Sequence, residues 1–243
     1  MAKLFCVSDI HGNFKALQGA LNDAGFDQND ENSWLIVCGD CFDRYKQPAE
    51  VMKYLMGLPR KVLVRGNHED LLVDCCERGE AWGHDIHNGT AETIWLLGNG
   101  HQWSDFSDCC TKTLARTHVF LDGMVNYFET KNYIFVHSWV PLNDNCTKME
   151  NWREANDRQW QDARWGNPFE FAAQGLLPDK TLVFGHWHCS TGWAESEGRS
   201  EFGKDAKFDP FYGDGFIAID SCVAHSKKIN CIVLEDEFLT IQN

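Results

Sequence analysis

Five short apolar runs, each followed by a polar cluster, constrain the fold of this 243-residue chain more than any other feature. Each run is four or five residues long and rich in Val, Ile, Leu and Phe. Runs of this kind, stopped by Gly, Asp or His, are typical of strands buried on both faces of an α/β sheet. They cover residues 3–7, 34–38, 61–64, 133–136 and 181–184.

The polar clusters consist of residues that commonly hold metals or phosphate. They are Asp9-Ile10-His11, Gly39-Asp40-Cys41-Phe42-Asp43-Arg44, Gly66-Asn67-His68-Glu69, His137 and Gly185-His186-Trp187-His188. Sheets of this class bind ligands at the carboxyl ends of their strands. The sequence therefore predicts that all five clusters meet at one site.

The pattern between the runs predicts the arrangement of helices and sheets. Helical spacing of apolar residues after Asp9, and Pro48 at a helix start, give a strand–helix alternation that indicates a parallel sheet. Further strands are predicted at 216–220, 230–234 and 238–241, without long helices between them, which indicates a second, partly antiparallel sheet. The prediction is one α/β domain over residues 1–243, in which residues 70–130 form a mostly helical lobe beside the site.

Composition limits the partners and the location. The net charge is -14 and Lys and Arg form no extended run, so extended nucleic acid is a poor partner. The first apolar run reaches Asp9 after a few residues, which is too short for a signal peptide or a membrane span. We therefore expect a cytoplasmic protein without membrane contact, in which most of the 11 cysteines are reduced core residues. The sequence leaves the oligomeric state open.

The donor types indicate two metal ions. Asp9 and His11, two residues apart at a strand end, can place a carboxylate and an imidazole on one divalent ion. Asp40 can bridge to a second ion, the arrangement that enzymes use for in-line phosphoryl displacement. The remaining ligands follow from their positions at strand ends. Asn67, His137 and His186 are predicted to hold the second ion, and His188 to return to the first.

This series resembles the calcineurin-like metallophosphoesterases, and Asp9 to Glu69 is similar to the phosphoprotein phosphatase branch, nearest its phage and bacterial serine/threonine phosphatases. That branch carries Asp-x-His-Gly, Gly-Asp-x-x-Asp-Arg-Gly and Arg-Gly-Asn-His-Glu at comparable spacing, and residues 216–234 resemble its closing strand and hairpin. The resemblance covers most of the chain. It implies two packed mixed sheets flanked by helices, the four-layer sandwich of the family.

The resemblance also implies roles for individual residues. Asp9, His11 and Asp40 would hold metal one, and Asp40, Asn67, His137 and His186 metal two. A hydroxide bridging the ions would attack phosphorus. Arg44 would bind the phosphate oxygens, next to Asn67. His68 would protonate the leaving oxygen, with Asp43 holding its imidazole in place.

The sequence departs from the phosphatase pattern in three places. Tyr45 replaces a Gly, Ser138-Trp139 replaces Gly-Gly, and His188 is present where many protein phosphatases lack a His. The first two changes reshape the phosphate entrance and put protein substrates in doubt, whereas His188 completes the metal-one ligands. No motif fixes a second phosphate-binding arginine. Arg164 is the candidate, with Arg158 behind it.

Other readings remain open. Cys38 and Cys41 have C-x-x-C spacing, but a redox motif would open a helix, whereas this one straddles a strand end. A protein that kept the fold and lost catalysis would not need His68 and Arg44.

Within the enzyme class, the substrate is a phosphorylated small molecule, a nucleotide or a phosphoprotein. Candidates are phosphomonoesters including phosphoserine and phosphothreonine, symmetric dinucleoside polyphosphates and cyclic nucleotides. The mixed N and O ligands suit Mn or Fe, with Zn as the alternative.

Overall fold

Two mixed β-sheets form the centre of the structure, a computed structural model that describes residues 1–100 and 102–238. The strands are β1 (Ala2–Val7), β2 (Ser33–Cys38), β3 (Lys61–Val64), β4 (Phe128–Glu129), β5 (Tyr133–Phe135), β6 (Thr181–Phe184), β7 (Phe211–Gly213), β8 (Phe216–Ala218) and β9 (Ile232–Asp236). The first sheet has the order β3-β2-β1-β9 and the second has the order β4-β5-β6-β8-β7. In each sheet three neighbouring strands are parallel and the added strands are antiparallel.

The five apolar runs form β1, β2, β3, β5 and β6, as the sequence predicted. A second, partly antiparallel sheet is also present, with β8 shorter than predicted. The strand predicted at 230–234 is β9, displaced towards the C-terminus, and its predicted place in the second sheet was wrong, because β9 pairs antiparallel with β1 at the edge of the first sheet. The strand predicted at 238–241 falls almost entirely outside the described residues. Phe238 itself forms an antiparallel bridge with Thr130.

Helices cover the outer faces of the two sheets. They are α1 (Phe14–Asp23), α2 (Pro48–Gly57), α3 (Asn67–Arg78), α4 (Gly83–Asn88), α5 (Thr90–Gly98), α6 (Phe106–Asp122), α7 (Asp157–Arg164), α8 (Pro168–Ala173), α9 (Cys189–Glu197) and α10 (Val223–Ser226). Local sequence explains several of their ends. The side chain of Asn13 accepts a hydrogen bond from the N–H of Ala16 at the start of α1, Pro48 is the first residue of α2, and Gly79 ends α3 with a φ of 71°.

Alternating side chains of the strands fill two different apolar layers. In β1, Leu4 and Cys6 belong to the layer between the two sheets, whereas Phe5 and Val7 pack against the helices. A third layer, rich in Trp and Phe, covers the outer face of the second sheet. A slip of one residue in β1 would exchange its two faces, so burial fixes the register of the strand. The position of Asp9 just beyond the strand is fixed with it.

Within the described residues, no helix combines the length and the apolar character needed to cross a lipid bilayer.

Candidate dinuclear metal centre

The polar clusters at the strand ends converge on one cavity of about 140 Å³. Two parallel triplets of strands, one from each sheet, point their carboxyl ends towards it. Six of the seven predicted metal ligands line the cavity: Asp9, His11, Asp40, Asn67, His186 and His188. The seventh, His137, does not line the cavity. It is 1% exposed and contacts Asn67 and His186, which do.

Asp40 lies between two groups of imidazoles. Its Oδ2 is 3.8 Å from Nε2 of His11 and also 3.8 Å from Nε2 of His68, while its Oδ1 is 3.4 Å from Nε2 of His137. Two clusters of donors could each hold an ion: the first cluster is His11, Asp40 and His68, and the second is Asp40, His137 and His186. Asp40 is the residue common to both. This is the position required of a carboxylate that bridges two ions.

The donors of the second cluster face each other at short range. Nε2 of His137 is 2.7 Å from Oδ1 of Asn67 and 3.2 Å from Nδ1 of His186. The opposite nitrogen of His137 donates a hydrogen bond to the carbonyl of Cys38 at 2.9 Å, so in the neutral ring Nε2 carries a lone pair. Lone pairs on nitrogen and oxygen at this distance repel each other unless a cation lies between them. The donor set therefore fits a metal ion.

His11, like His137, is oriented by a hydrogen bond from Nδ1 to a backbone carbonyl. Its Nδ1 donates to the carbonyl of Phe42 at 2.9 Å, which leaves Nε2 directed at Asp40 and, at 3.9 Å, at Asp9. Metal-binding histidines usually donate their second ring nitrogen in this way, because the hydrogen bond fixes both the tautomer and the ring orientation.

Burial sets the protonation that metal binding needs. Burial and the neighbouring imidazole of His137 lower the pKa of His186 to about 3, and burial together with His68 lowers the pKa of His11. Burial acts to raise the pKa of Asp40, but the surrounding imidazoles, His137 first, outweigh it and hold that pKa below its usual range. A neutral imidazole at His11 and at His186 and an ionised carboxylate at Asp40 are the forms in which these residues ligate a metal.

The backbone at the centre is strained. Asp9, His11, Asp40 and His186 have φ values of 50°, 49°, 55° and 63°, a left-handed region that costs non-glycine residues on the order of 1–3 kcal/mol each. Glu69 offsets part of this cost by accepting hydrogen bonds from the backbone N–H groups of residues 40, 41 and 66, at 2.8–3.0 Å. Burial and the charge of Asp40 raise the pKa of Glu69 to about 7.

His68, Asp43 and Thr90 form a hydrogen-bonded line that ends at the cavity. Nδ1 of His68 is 2.7 Å from Oδ2 of Asp43, which also accepts a hydrogen bond of 2.6 Å from the hydroxyl of Thr90. Burial acts to lower the pKa of His68, but the carboxylates of Asp40 and Asp43 outweigh it, so that this pKa is raised. The imidazole is therefore oriented by one nitrogen and presents the other to the cavity.

The two predicted phosphate-binding arginines differ in position. Arg44 lines the cavity, and in the part of the chain that is described its guanidinium forms no ion pair with a carboxylate. Arg164 does not line the cavity. It is 6% exposed, and its guanidinium donates to Asp70 at 2.7 Å and to Asn126 at 2.9 Å. The prediction that Arg164 binds substrate is therefore corrected, because a buried carboxylate already holds this side chain.

His188 also differs from the prediction in its surroundings. It lines the cavity and is partly exposed, but it belongs to neither donor cluster described above. Its Nε2 lies 3.8 Å from Oδ2 of Asp220.

Sequence reasoning gave no role to Asp220, Glu69, Thr90 or Trp165. Asp220 ends the predicted strand 216–220 and is 3% exposed, so the signal used for the other clusters also applied to it. Glu69 stood within a recognised motif. Thr90, by contrast, acts through a contact with Asp43, 47 residues away, that no local pattern predicts. Trp165 lines the cavity with its ring 6.2 Å from that of His186, also without a sequence signal.

The C-x-x-C pair has the properties of core thiols. Cys38 and Cys41 are buried and not joined to each other or to another cysteine. Burial first, and then nearby carboxylates, raise the pKa of both thiols. The thiolate needed for redox chemistry is disfavoured there.

Comparison with known proteins agrees with this geometry. The sequence model of the calcineurin-like phosphoesterases matches residues 2–190. Serine/threonine-protein phosphatase 2 of Escherichia coli is 29% identical over 105 residues, which are 43% of this chain and 42% of that protein. A symmetrical bis(5'-nucleosyl)-tetraphosphatase of Legionella pneumophila is 29% identical over 100 residues, 40% of this chain and 34% of that protein. The matches thus span less than half the length of these curated relatives.

Solved structures show the same fold. A crystal structure assigned to a diadenosine tetraphosphatase superposes with a TM-score of 0.55 at 18% identity, covering 96% of this chain and 89% of that one. The cold-active protein-tyrosine phosphatase of a psychrophilic Shewanella superposes with a TM-score of 0.54 at 15% identity, covering 97% of this chain and 76% of that one. At these identities the likeness concerns the fold. Because the family model covers most of the chain, the chain belongs to the calcineurin-like phosphoesterase family.

Proposed function

We propose that this chain is a dinuclear metal-dependent phosphoesterase that hydrolyses phosphomonoesters. The observation that carries the proposal is the position of Asp40, whose two oxygens face separate imidazole clusters across a small cavity. A cavity of about 140 Å³ is too small for most whole ligands, which need roughly 300 Å³ or more, but it suits a phosphoryl group.

The residues divide into two ligand sets with Asp40 in common. Asp9, His11 and His188 would complete the first set, and Asn67, His137 and His186 the second. Two divalent ions, when bound, lower the pKa of coordinated water and polarise phosphoryl oxygens. The imidazole, carboxylate and amide donors suit Mn or Fe, with Zn as the alternative.

The chain's own residues would bind the phosphoryl group and supply a proton. Arg44 offers a planar pair of N–H donors to two phosphate oxygens and balances the charge that develops during displacement. His68 would deliver its proton to the leaving oxygen, because its Nε2 faces the cavity while Asp43 holds Nδ1. The predicted helical lobe, residues 70–130, would contribute to proton delivery through Thr90, which donates a hydrogen bond to Asp43. It would contribute to binding of the phosphoryl group through Asn88, which lines the cavity.

A second candidate substrate class is favoured by Trp165 at the cavity wall. This side chain is 49% exposed, and its indole would offer a flat surface on which a nucleobase can stack. Hydrolysis of symmetric dinucleoside polyphosphates is therefore the alternative on the same site. Trp165→Ala should then lower kcat/KM for dinucleoside polyphosphates and not for glycerol phosphate. Trp103→Ala is the matched control, because Trp103 is 56% exposed and does not line the cavity.

The proposal is tested with purified protein and p-nitrophenyl phosphate. Chelation should abolish hydrolysis, and added Mn²⁺ should restore it together with two ions per chain, measured by inductively coupled plasma mass spectrometry. Full activity in protein shown to be free of metal would refute the two-metal assignment.

A further inference from the structure

We infer that Asp220 is a further carboxylate of the metal centre and that, together with His188, it holds the ion beside Asp9. The inference rests on the proposed function, because it requires that the cavity bind metal.

Asp220 reaches the cavity from the end of β8, which pairs with β6, the strand that precedes His186. It follows β8, and the N–H of Ile219 donates to the carbonyl of Phe184 at 2.9 Å, which extends the pairing of β8 with β6 to the residue before Asp220. The carbonyl of Asp220 accepts from the N–H of Cys189 at 2.8 Å. The backbone of Asp220 is thus fixed on both sides at the site edge of the second sheet.

The two oxygens of the Asp220 carboxylate have different surroundings. Oδ1 accepts a hydrogen bond of 2.7 Å from the N–H of Cys222, whereas Oδ2 faces Nε2 of His188 at 3.8 Å. The second separation is too long for a hydrogen bond. Asp220 is only 3% exposed and lines the cavity, so Oδ2 is left facing the cavity without a hydrogen bond from the described residues.

The separation of 3.8 Å is that of two ligands sharing an ion. Donor atoms that each lie about 2.0–2.2 Å from one ion are separated by roughly 3–4 Å at the usual angles. Nε2 of His11 has the same relation to Oδ1 of Asp9, at 3.9 Å, and to Oδ2 of Asp40, at 3.8 Å. His188 and Asp220 therefore repeat the nitrogen–oxygen spacing of the predicted ligands.

The carboxylates at the centre favour a cation near Asp220. Asp9, Asp40 and Asp220 are each at least 97% buried and line the same cavity. Within the described ranges, these three carboxylates form ion pairs with histidines and with no Lys or Arg. Buried carboxylates of like charge are unfavourable unless a cation offsets them. A divalent ion between Asp9 and Asp220 would supply that charge.

Asp220→Asn tests the inference, because the amide oxygen can keep the hydrogen bond to Cys222 while the charge is lost. Titration calorimetry with Mn²⁺ should show two sites in the wild type. In Asp220→Asn, one site should keep its affinity and the other should weaken about 10- to 100-fold. At equal loading with Mn²⁺, electron paramagnetic resonance should show the spin-coupled pair in the wild type and mainly a single-ion signal in the variant.

Thermal stability provides a second readout. The effect of Asp220→Asn on the unfolding temperature should have opposite signs in the metal-free and the metal-bound protein. In EDTA, Asp220→Asn should unfold at a higher temperature than the wild type, because it removes one of three clustered negative charges. In saturating Mn²⁺ it should unfold at a lower temperature. Asp236→Asn is the matched control: Asp236 is 2% exposed and is hydrogen-bonded to Thr130 and Asn132 at the far end of β9. It should destabilise the protein in both conditions and leave Mn²⁺ affinity unchanged.

The outcomes separate this inference from the proposed function. A wild type that binds two Mn²⁺ ions, with Asp220→Asn binding both equally well, would refute the role of Asp220 and leave the dinuclear centre intact. Equal destabilisation of Asp220→Asn in EDTA and in Mn²⁺ would show that Asp220 only supports the fold. If His188 and Asp220 hold one ion, adding His188→Ala to Asp220→Asn should weaken that site by less than the product of the single effects, and full multiplication would refute the shared ion. A wild type that binds no Mn²⁺ would overturn both proposals.

Discussion

Replacement of His68 by Asn separates proton delivery from metal binding. Nδ1 of His68 is fixed by Asp43 at 2.7 Å, while Nε2 faces the cavity and lies 3.8 Å from Asp40. Asn cannot act as an acid in the neutral range, but it is small and polar enough to occupy the same space. A general acid matters most when the leaving oxygen is strongly basic. An alkoxide from serine or a sugar needs the proton, whereas p-nitrophenolate largely does not.

The expected loss of rate in His68→Asn follows from the usual contribution of general acid catalysis. General acid catalysis contributes about 10²–10⁴-fold, and each factor of ten corresponds to about 1.4 kcal/mol of barrier. His68→Asn should therefore raise the barrier for alkyl phosphates by about 3–5 kcal/mol. Asp43→Asn removes a charged hydrogen bond worth about 1.5–3 kcal/mol, so its effect should be roughly ten- to a hundredfold. Thr90→Val removes one bond to Asp43 and should have a smaller effect in the same direction.

The assay measures kcat/KM for phosphate esters of graded leaving-group pKa. The losses in His68→Asn and Asp43→Asn should grow steadily from aryl to alkyl esters, with two ions per chain retained. His118→Asn is the control, because His118 is an exposed residue of α6 that does not line the cavity. An equal loss for every leaving group would refute the reasoning, since His68 would then support the metals or the phosphate.

Three further substitutions test other parts of the centre. Arg44→Lys should cost about 2–4 kcal/mol of transition-state stabilisation in kcat/KM at unchanged metal content, and loss of metal would assign Arg44 to the structure of the site. Gly39→Ala should lower both the melting temperature and the metal content, because a Cβ would clash with Nδ1 of His137 at a φ of 82°. Gly175→Ala, with a φ of 73° and no atom within 4 Å, should cost only about 1–2 kcal/mol, and equal effects would contradict the role of crowding. Asp40→Asn should weaken both Mn²⁺ sites in calorimetry, and loss of one site alone would refute the bridging position.

The sequence predicted the sheets and most of the cavity because both depend on local patterns. A strand buried on both faces needs a continuous apolar run, and the fold then places the residue after each run at one edge. Asp9, Asp40 and His137 illustrate this, since each lies within two residues of the end of a strand. Burial fixed the register, and the register fixed the position of the donors.

The errors and omissions concern contacts between distant segments. Arg164 lies in a polar segment that could serve a phosphate, but its partner Asp70 is 94 residues earlier in the chain. Nothing near either residue marks the pairing. His188 follows His186 by two residues, which alone does not decide which donor it faces, and its neighbour Asp220 comes from a different strand.

The strained residues of the centre are explained by the donors that they position. At Asp9, His11 and Asp40 the backbone takes a conformation that favours glycine, although each side chain is needed as a donor. Glu69 holds the turn around Asp40 through three backbone hydrogen bonds, and its burial beside that carboxylate opposes its own ionisation. These local costs lie around one cavity, while the central strands of the sheets beneath it are mostly apolar and buried. The strain is tolerated there because the apolar layers supply the stability, and a cation bound among the carboxylates would relieve the charge that burial concentrates.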